Sequence, residues 1–512
     1  MTDESGGAGS GIVYLVGAGP GDAGLITVRG QELIGKADAI VFDSSVNRSL
    51  LPEGARESGH PVLYFVGRSG KTGRRVSARE IEELLVRLGR SGNRVVRLIG
   101  GDPFMFGPGA DEAQALNDAS VPFEVVPGIT SGIAAVAYAG IPVTHPGMGA
   151  SVTFVNGTEI PGRPDTQTDW ASLAKAGGTI VIYMGRKSIA TIASALADGG
   201  MPEEIPAAAI ERGTRRAQRT VTATLATLAD AVTSAAMTGP TMLVIGWPVI
   251  LRDEIAWFET RPLFGKRIVV AEPGHVATNV AVRLRELGAE VFEMPEPAVA
   301  RLDLSSLREA MVRLSHFQWL LFTSRNAVLV FWEQLLGSGR DARALSGIAV
   351  AAVGAETAAA LLEHGITVDI IPDRFATESL VEKIRARDDV TGSRVLFVSP
   401  EGQETELAAE MTEMGAEVTV VYAYRAMPDR SAVRRLRRAL ERNTVDAVAF
   451  TTPASVVTFA AAAGPDLVTS VRGASMSEAV SEALATVGID VVAEASEPDA
   501  ASLITAIERA LK

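Results

Sequence analysis

VVRLIGGDPFMFGPG, residues 95–109, opens as an apolar strand, turns on Gly100-Gly101 and presents Asp102-Pro103 before Phe104, Met105 and Phe106. A buried strand that ends in two glycines lets the main chain come very close to a ligand. Asp102 places an anion at that tip, and Pro103 stiffens the loop. Such a tip suits a cationic ligand and repels a phosphate. Taken alone, the segment is read equally well as a plain tight turn after a core strand.

Upstream, residues 12–16 (IVYLV) read as a strand running into GAGPGD at 17–22. A helix is predicted over Leu25–Ala37, then a strand over Ala39–Phe42 that ends in Asp43. Strand, turn, helix and strand open a parallel α/β layer. The turn fails the dinucleotide fingerprint, because Asp22 stands where the third glycine of GxGxxG belongs and would lie against a pyrophosphate. Nicotinamide-dependent hydride transfer is disfavoured on that ground. After a strand at Leu63–Val66 comes GRSGKTGRR (67–75), where Arg68, Lys71, Arg74 and Arg75, with Arg79 just beyond, form the most basic short window. It is either a solvated loop or a landing site for a polycarboxylate, since guanidinium forks match carboxylate oxygens in pairs.

Downstream, a helix is predicted near Ala110–Asp118, and VPFEVVPGITSG (121–132) gives another strand ending in Pro-Gly. Thr130 and Ser131 offer hydroxyls and a helix N-terminus there, a pattern that is often only a cap. Further strands are SVTFVNGTE (151–159), TIVIYMG (179–185) ending in Met184-Gly185, and AAAIERGT (207–214) closing on Gly213. Five apolar strands thus end in glycine-containing loops, at 17–22, 100–103, 127–131, 184–185 and 213–214. Strand-end loops are where α/β sheets hold small molecules, and their number weighs more than any one of them. A strand at Met242–Trp247 and the segment Val249–Phe258 finish this half, and ETRPLFG (259–265) reads as a short linker.

From Lys266 the chain repeats itself. GKRIVVAEPG (265–274) and LGAEVFEMPEP (287–297) return as GSRVLFVSPEG (392–402) and MGAEVTVVYAYRAMP (414–428). WLLFTSRNAV (319–328) returns as AVAFTTPASV (447–456), and the stretch 352–372 is echoed less regularly at 470–494. A repeat this long implies two similar α/β units with a cleft between them. Thr323, Ser324, Thr451, Thr452 and Ser455 follow apolar strands, with no adjacent base to mark any as a nucleophile.

At 512 residues, two or more domains are expected. A net charge of -13 argues against non-specific nucleic-acid binding. Cysteine is absent, which excludes disulfides and thiolate chemistry. His60, His145, His275, His316 and His364 show no metal-ligand spacing, so no metal is expected. MTDESGGAGSG at the N-terminus lacks the features of a secretory leader, and Gly132–Val143 is too short to span a bilayer. The expectation is a cytoplasmic protein with no membrane partner.

VYLVGAGPGDAGLITVRG, VVRLIGGDPFMFGPGADEA, VPFEVVPGITSGIAAVAYAGIPVTH and IVIYMG together resemble the uroporphyrinogen-III C-methyltransferases, tetrapyrrole methylases that use S-adenosylmethionine. FTSRNAV, AVGAETAAAL, YAYR and FTTPASV resemble the uroporphyrinogen-III synthases. The resemblance implies a flexible N-terminus (1–10), a methylase domain of two α/β subdomains (11–258), a linker (259–265) and a two-lobed synthase-like α/β domain (266–512), the chain crossing between lobes near 298 and 426. It implies S-adenosylmethionine held by Pro20, Gly100, Gly101, Asp102, Met105, Thr130, Ser131, Met184 and Gly213, in a homodimer formed through the methylase half. Asp43 would be the proton acceptor, and Arg68 stands where the family places a lysine as proton donor. The family also follows its aspartate with Arg-Leu-Val, whereas here Ser44-Ser45-Val46 follows. In the synthase half the implied substrate contacts are Ser324, Thr357, Tyr424 and Ser455. The implied reactions are closure of hydroxymethylbilane to uroporphyrinogen III with its last ring inverted, and methylation of that product to precorrin-2, in sirohaem, cobalamin and haem biosynthesis. Two alternatives stay open, a methylase half that only binds and one that acts on a later corrin intermediate.

Overall fold

Apolar strands alternating with amphipathic helices build four five-stranded sheets. The structure is a computed structural model that describes residues 11–52, 55, 59–67, 76–159, 161–163, 166–271, 275–294, 298–371, 377–387, 390–401, 406–427 and 430–512. The N-terminal ten residues and the basic loop from Arg68 to Arg75 lie outside the described residues.

The first sheet holds β1 (Ile12–Gly17), β2 (Ala39–Phe42), β3 (Val62–Phe65), β4 (Arg94–Ile99) and β5 (Phe123–Val126) in the order β3-β2-β4-β1-β5. Every pairing is parallel, so all strand C-termini point to one end. Helices cover both faces, which is why β1 and β2 are almost wholly apolar and β4 is apolar apart from Arg94 and Arg97. Val13, Leu15, Val41 and Val95 pack with Leu85 and Leu116 on one face, while Val16, Ile40, Phe42 and Leu98 pack with Leu33 and Ile34 on the other. The helix expected over 25–37 is divided into a 3-10 turn, Ala23–Leu25, and a helix, Val28–Gly35. Thr27 starts the second piece, its hydroxyl accepting the Gly30 amide at 3.1 Å.

The second sheet holds β6 (Val152–Asn156), β7 (Thr179–Tyr183), β8 (Pro206–Glu211), β9 (Arg219–Thr224) and β10 (Thr241–Ile245), in the order β6-β7-β10-β8-β9. Only β6 and β7 are parallel. The sequence reading lacked β9 (RTVTAT), an edge strand antiparallel to β8 along its whole length.

The second half forms two sheets. One has the order β12-β11-β18-β19-β20, from β11 (Arg267–Val270), β12 (Glu290–Glu293), β18 (Ala447–Phe450), β19 (Arg472–Ser475) and β20 (Asp490–Glu494). The other runs β13-β17-β16-β14-β15, from β13 (Ala298–Arg301), β14 (Trp319–Phe322), β15 (Ala349–Ala352), β16 (Arg394–Pro400) and β17 (Glu417–Met427). The two share a parallel four-stranded core and differ in the fifth strand, β20 in one and the antiparallel β13 in the other. The sequence repeats equate β11 with β16, β12 with β17 and β14 with β18. Each sheet therefore takes strands from both repeats, and the lobes are not the repeats themselves.

The segment 259–265 is pinned at both ends. Glu259 accepts from Gln218 Nε2 at 2.7 Å, Thr220 Oγ1 at 2.6 Å and Arg252 Nη2 at 2.6 Å, and Leu263 is buried against Ile268 and Leu284. Among the described residues, no helix is long and apolar enough to cross a membrane.

Candidate active site

Three strand tips of the first sheet meet at the glycines. A Cβ on Gly17 would lie 2.5 Å from Gly128 Cα and 2.8 Å from Gly101 O, so glycine is required for the loops after β1, β4 and β5 to touch. Gly19 and Gly101 exchange main-chain hydrogen bonds at 3.2 and 2.7 Å. Asp102 ties the loops together: Oδ1 accepts the Phe104 amide at 2.8 Å and Oδ2 accepts the Gly128 amide at 3.0 Å. Gly101 has a φ of +72°, and a side chain there would meet nothing nearer than 3.8 Å, beside Thr130 and Ser131. That leaves open space between the tips. Gly100 abuts Ser45, and Pro20 lies half-buried in the neighbouring loop.

Tips of the second sheet close on these. Tyr183, at the end of β7, shares a 2.6 Å hydrogen bond with Thr130 Oγ1, and its oxygen accepts the Gly132 amide at 2.9 Å. Ser131 is the first residue of the helix Ser131–Tyr138, against which Gly213 packs so closely that an added Cβ would lie 3.0 Å from Ala135 Cα. Met105 packs against the same cluster as Val136 and Tyr183. The Asp22 amide donates to Thr214 Oγ1 at 3.1 Å, and Tyr138 O–H donates to Asp22 Oδ2 at 2.9 Å. Burial raises the pKa of both phenols, reinforced at Tyr138 by the bond to Asp22, so each is protonated at neutral pH. Phe106, Met184, Arg212 and Thr214 all have φ between 51° and 65°. Four non-glycine residues in the left-handed region around one site are strain that the surrounding packing holds in place.

Beside the tips lies a cavity of about 1080 Å³ lined by Asp43, Ser45, Arg97, Phe106, Glu112 and Met184, among others. Met184, held in a left-handed conformation, is 53% exposed there. Asp43 Oδ1 accepts from the Ser45 amide at 2.8 Å and from the Ser45 hydroxyl, and Oδ2 stands 3.5 Å from Arg97 Nη1. Arg97 is buried within β4 and pairs with buried Glu112. Burial raises the Glu112 pKa, against the opposing pull of Arg97. Neither Arg97 nor Glu112 entered the sequence reading, although a charge inside VVRLI was a usable signal. Tyr183, Tyr138 and Thr214 were missed as well.

The donor set fits S-adenosylmethionine better than a nucleotide diphosphate. Two carboxylates, Asp22 and Asp102, stand at the tips, where they tolerate an ammonium or sulfonium and repel phosphate.

In the second half, Ser324 begins the helix Arg325–Gly337, accepting the Ala327 amide at 3.2 Å, and its hydroxyl lies 3.0 Å from Tyr424 O–H on β17. Thr357 is buried in the helix Ala355–Glu363 of the same lobe. Thr323 Oγ1, next to Ser324, is buried with no hydrogen-bond partner among the described residues. Ser455 belongs to the other lobe, is 2% exposed, and donates to Thr452 O at 2.6 Å within the first turn of its own helix.

The family described as Tetrapyrrole (Corrin/Porphyrin) Methylases matches residues 12–229, and the family described as Uroporphyrinogen-III synthase HemD matches residues 279–505. A porphyrin biosynthesis protein HemD of Ruminiclostridium josui is 36% identical over 381 residues, 74% of each chain. A uroporphyrinogen-III C-methyltransferase of Bacillus subtilis (strain 168) is 37% identical over 339 residues, 66% of this chain and 68% of that one. The solved uroporphyrin-III C-methyltransferase of Thermus thermophilus, complexed with S-adenosyl homocysteine, is 33% identical, covering 47% of this chain and all of that one with a TM-score of 0.39. This chain belongs to the tetrapyrrole methylases and carries a HemD-type uroporphyrinogen-III synthase domain on the same polypeptide.

Proposed function

We propose that the chain performs two successive steps of tetrapyrrole synthesis. Its second half closes hydroxymethylbilane to uroporphyrinogen III with inversion of the last ring, and its first half methylates that product twice to precorrin-2. The observation that carries the reading is the gathering of glycine-tight strand tips and two carboxylates beside a large cavity that Asp43 lines. When bound, S-adenosylmethionine supplies an electrophilic methyl group on a positively charged sulfur. Pro20, Gly100, Gly101, Met105, Thr130, Ser131, Met184 and Gly213 shape its site, and Asp102 holds the two central loops in register. As the new carbon–carbon bond forms, the substrate loses one proton, and Asp43 at the cavity wall takes it. Arg68 and its basic neighbours are assigned to the substrate carboxylates. In the synthase half, Ser324, Tyr424 and Thr357, with Ser455 from the other lobe, are assigned to the bilane, which the two lobes fold for closure.

A homodimer through the methylase half is part of the same reading. β5 is a free sheet edge, and Phe123 on it, Ile129 and Ile133 after it, and Val28 beside the Arg29–Glu124 ion pair are exposed apolar side chains. The protein is assigned to the cytoplasm.

The test is a coupled assay from hydroxymethylbilane with labelled S-adenosylmethionine, products resolved by mass. Uroporphyrinogen III carrying two labelled methyl groups is expected. Closure without inversion would remove the synthase assignment, and an unlabelled tetrapyrrole would remove the methylase one. A methylase half that binds but does not transfer has one observation in its favour, since Ser45 already occupies Asp43 Oδ1. Absence of label with intact cofactor binding would select it.

A further inference from the structure

We propose that Glu112, by pairing with Arg97, governs how much of the Arg97 positive charge bears on Asp43, and is thereby a positioning residue for methyl transfer. The inference rests on the assignment of Asp43 as proton acceptor. Arg97 lies within β4, which is paired on both sides by β2 and β1, and it is 1% exposed. A guanidinium in such a place needs partners for its charge and its N–H groups. Its Nε lies 3.1 and 3.2 Å from the two oxygens of Glu112, and its Nη1 donates to Leu98 O at 2.8 Å. The same Nη1 stands 3.5 Å from Asp43 Oδ2. Glu112 comes from the helix Gly109–Asp118 and is 2% exposed, while the Asp43 side chain is 28% exposed at the cavity.

One cation thus serves two carboxylates, one sealed and one facing the cavity. Glu82 and Asp111 line the same cavity and add negative charge at longer range, while Arg215, donating to Ser45 O at 2.9 Å, adds positive charge beside the Asp43 loop. Without Glu112, the whole field of Arg97 would fall on Asp43 and make it a poor base. With Glu112 as its nearer partner, Arg97 is largely neutralised, and less of its charge bears on Asp43. The three groups carry one net negative charge when both carboxylates are ionised and become neutral when Asp43 accepts a proton. With Arg97 and Glu112 both buried, that loss of net charge is favourable. Replacing a buried ion pair by apolar residues of similar volume is often neutral or stabilising, so packing alone does not account for this pair.

The experiment uses the full chain with Glu112→Gln. Label transfer from S-adenosylmethionine to uroporphyrinogen III is followed as kcat against pH, with cofactor affinity by calorimetry. Without the Glu112 charge, more of the Arg97 field falls on Asp43, so the acid limb of the profile should move to lower pH by about one unit. The weaker base should cut the plateau rate about tenfold, and cofactor affinity should change less than twofold. An acid limb that does not move in a folded, cofactor-binding variant overturns the proposal, whatever happens to the rate. Should Glu112→Gln not fold, Glu112→Asp keeps the charge but withdraws it, and a smaller shift in the same direction is required. A wild-type chain that transfers no methyl group overturns the assignment of the methylase half instead, and is recognised before either variant is made.

Discussion

Asp102 accepts one main-chain amide from its own loop and one from the loop after β5, so its carboxylate is a clamp as much as a charge. Asp102→Ala leaves both amides without an acceptor, at a cost of about 1–3 kcal/mol each where water cannot replace it. S-adenosylmethionine affinity, measured by calorimetry, should fall at least tenfold, and undiminished binding would remove Asp102 from the site. Tyr183 makes a comparable junction between the helix Ser131–Tyr138 and β7. Tyr183→Phe strips the Gly132 amide of its acceptor and should lower stability to urea by about 1–2 kcal/mol. A change below about 0.3 kcal/mol would mean that water serves the amide instead. Asp102 was legible because a carboxylate after two glycines is conspicuous in the chain. Tyr183 was not, because its partners lie about fifty residues away and its neighbours read as an ordinary apolar strand.

β9 shows the limit of pattern reading for a whole element. Its threonines alternate with apolar residues, but it lies at a sheet edge, with none of its six residues buried. What holds it is Glu211 at the end of β8, which is 1% exposed and receives Arg219 Nη2 at 2.6 Å, Arg219 Nε at 3.0 Å and the amides of Thr238 and Gly239. Burial alone would raise the carboxyl pKa, but Arg219 and the two amides outweigh it and hold it low. A depressed pKa contributes stability above the unfolded carboxylate value of about 4.3, and that contribution is lost as pH falls through the folded value. Glu211→Gln should cost about 2 kcal/mol at neutral pH, a figure that allows for solvent screening at half-exposed Arg219. The gap between wild type and variant should narrow in acid. A gap that is constant with pH in denaturant melts would contradict this account.

At the scale of the molecule, the second half is two lobes woven from two repeats. Across the repeats β11 pairs with β18, β14 with β16 and β13 with β17, while β12 and β15 extend the sheets from β11 and β14. A full chain truncated after residue 391 keeps the first repeat intact but deprives β11 of β18, leaving open strand edges on two sheets. Deleting 298–427 and joining the ends with a flexible linker keeps the β12-β11-β18-β19-β20 sheet whole. The deletion should retain a cooperative thermal transition for that lobe, followed by circular dichroism, whereas the truncation should not. The reverse result would mean that the repeats fold independently. The halves of the chain also touch: Arg216, near the Gly213 tip, donates to Gly265 O at 3.1 Å and pairs with Glu290 at 2.6 Å.

Local pattern by itself determined that this is a two-part α/β protein, where its apolar strands begin, that glycine tips collect in its first half, and which families it resembles. Those features reside in short stretches, where strand period and the steric freedom of glycine act within a few residues. Tertiary structure alone decided that a guanidinium inside β4 lies between Asp43 and Glu112, that Tyr183 joins two loops, and that the repeats exchange strands. Each depends on groups distant in the chain that meet only when sheets close and exclude water. There an unpaired charge or amide is costly, and the choice of neighbour carries the energy.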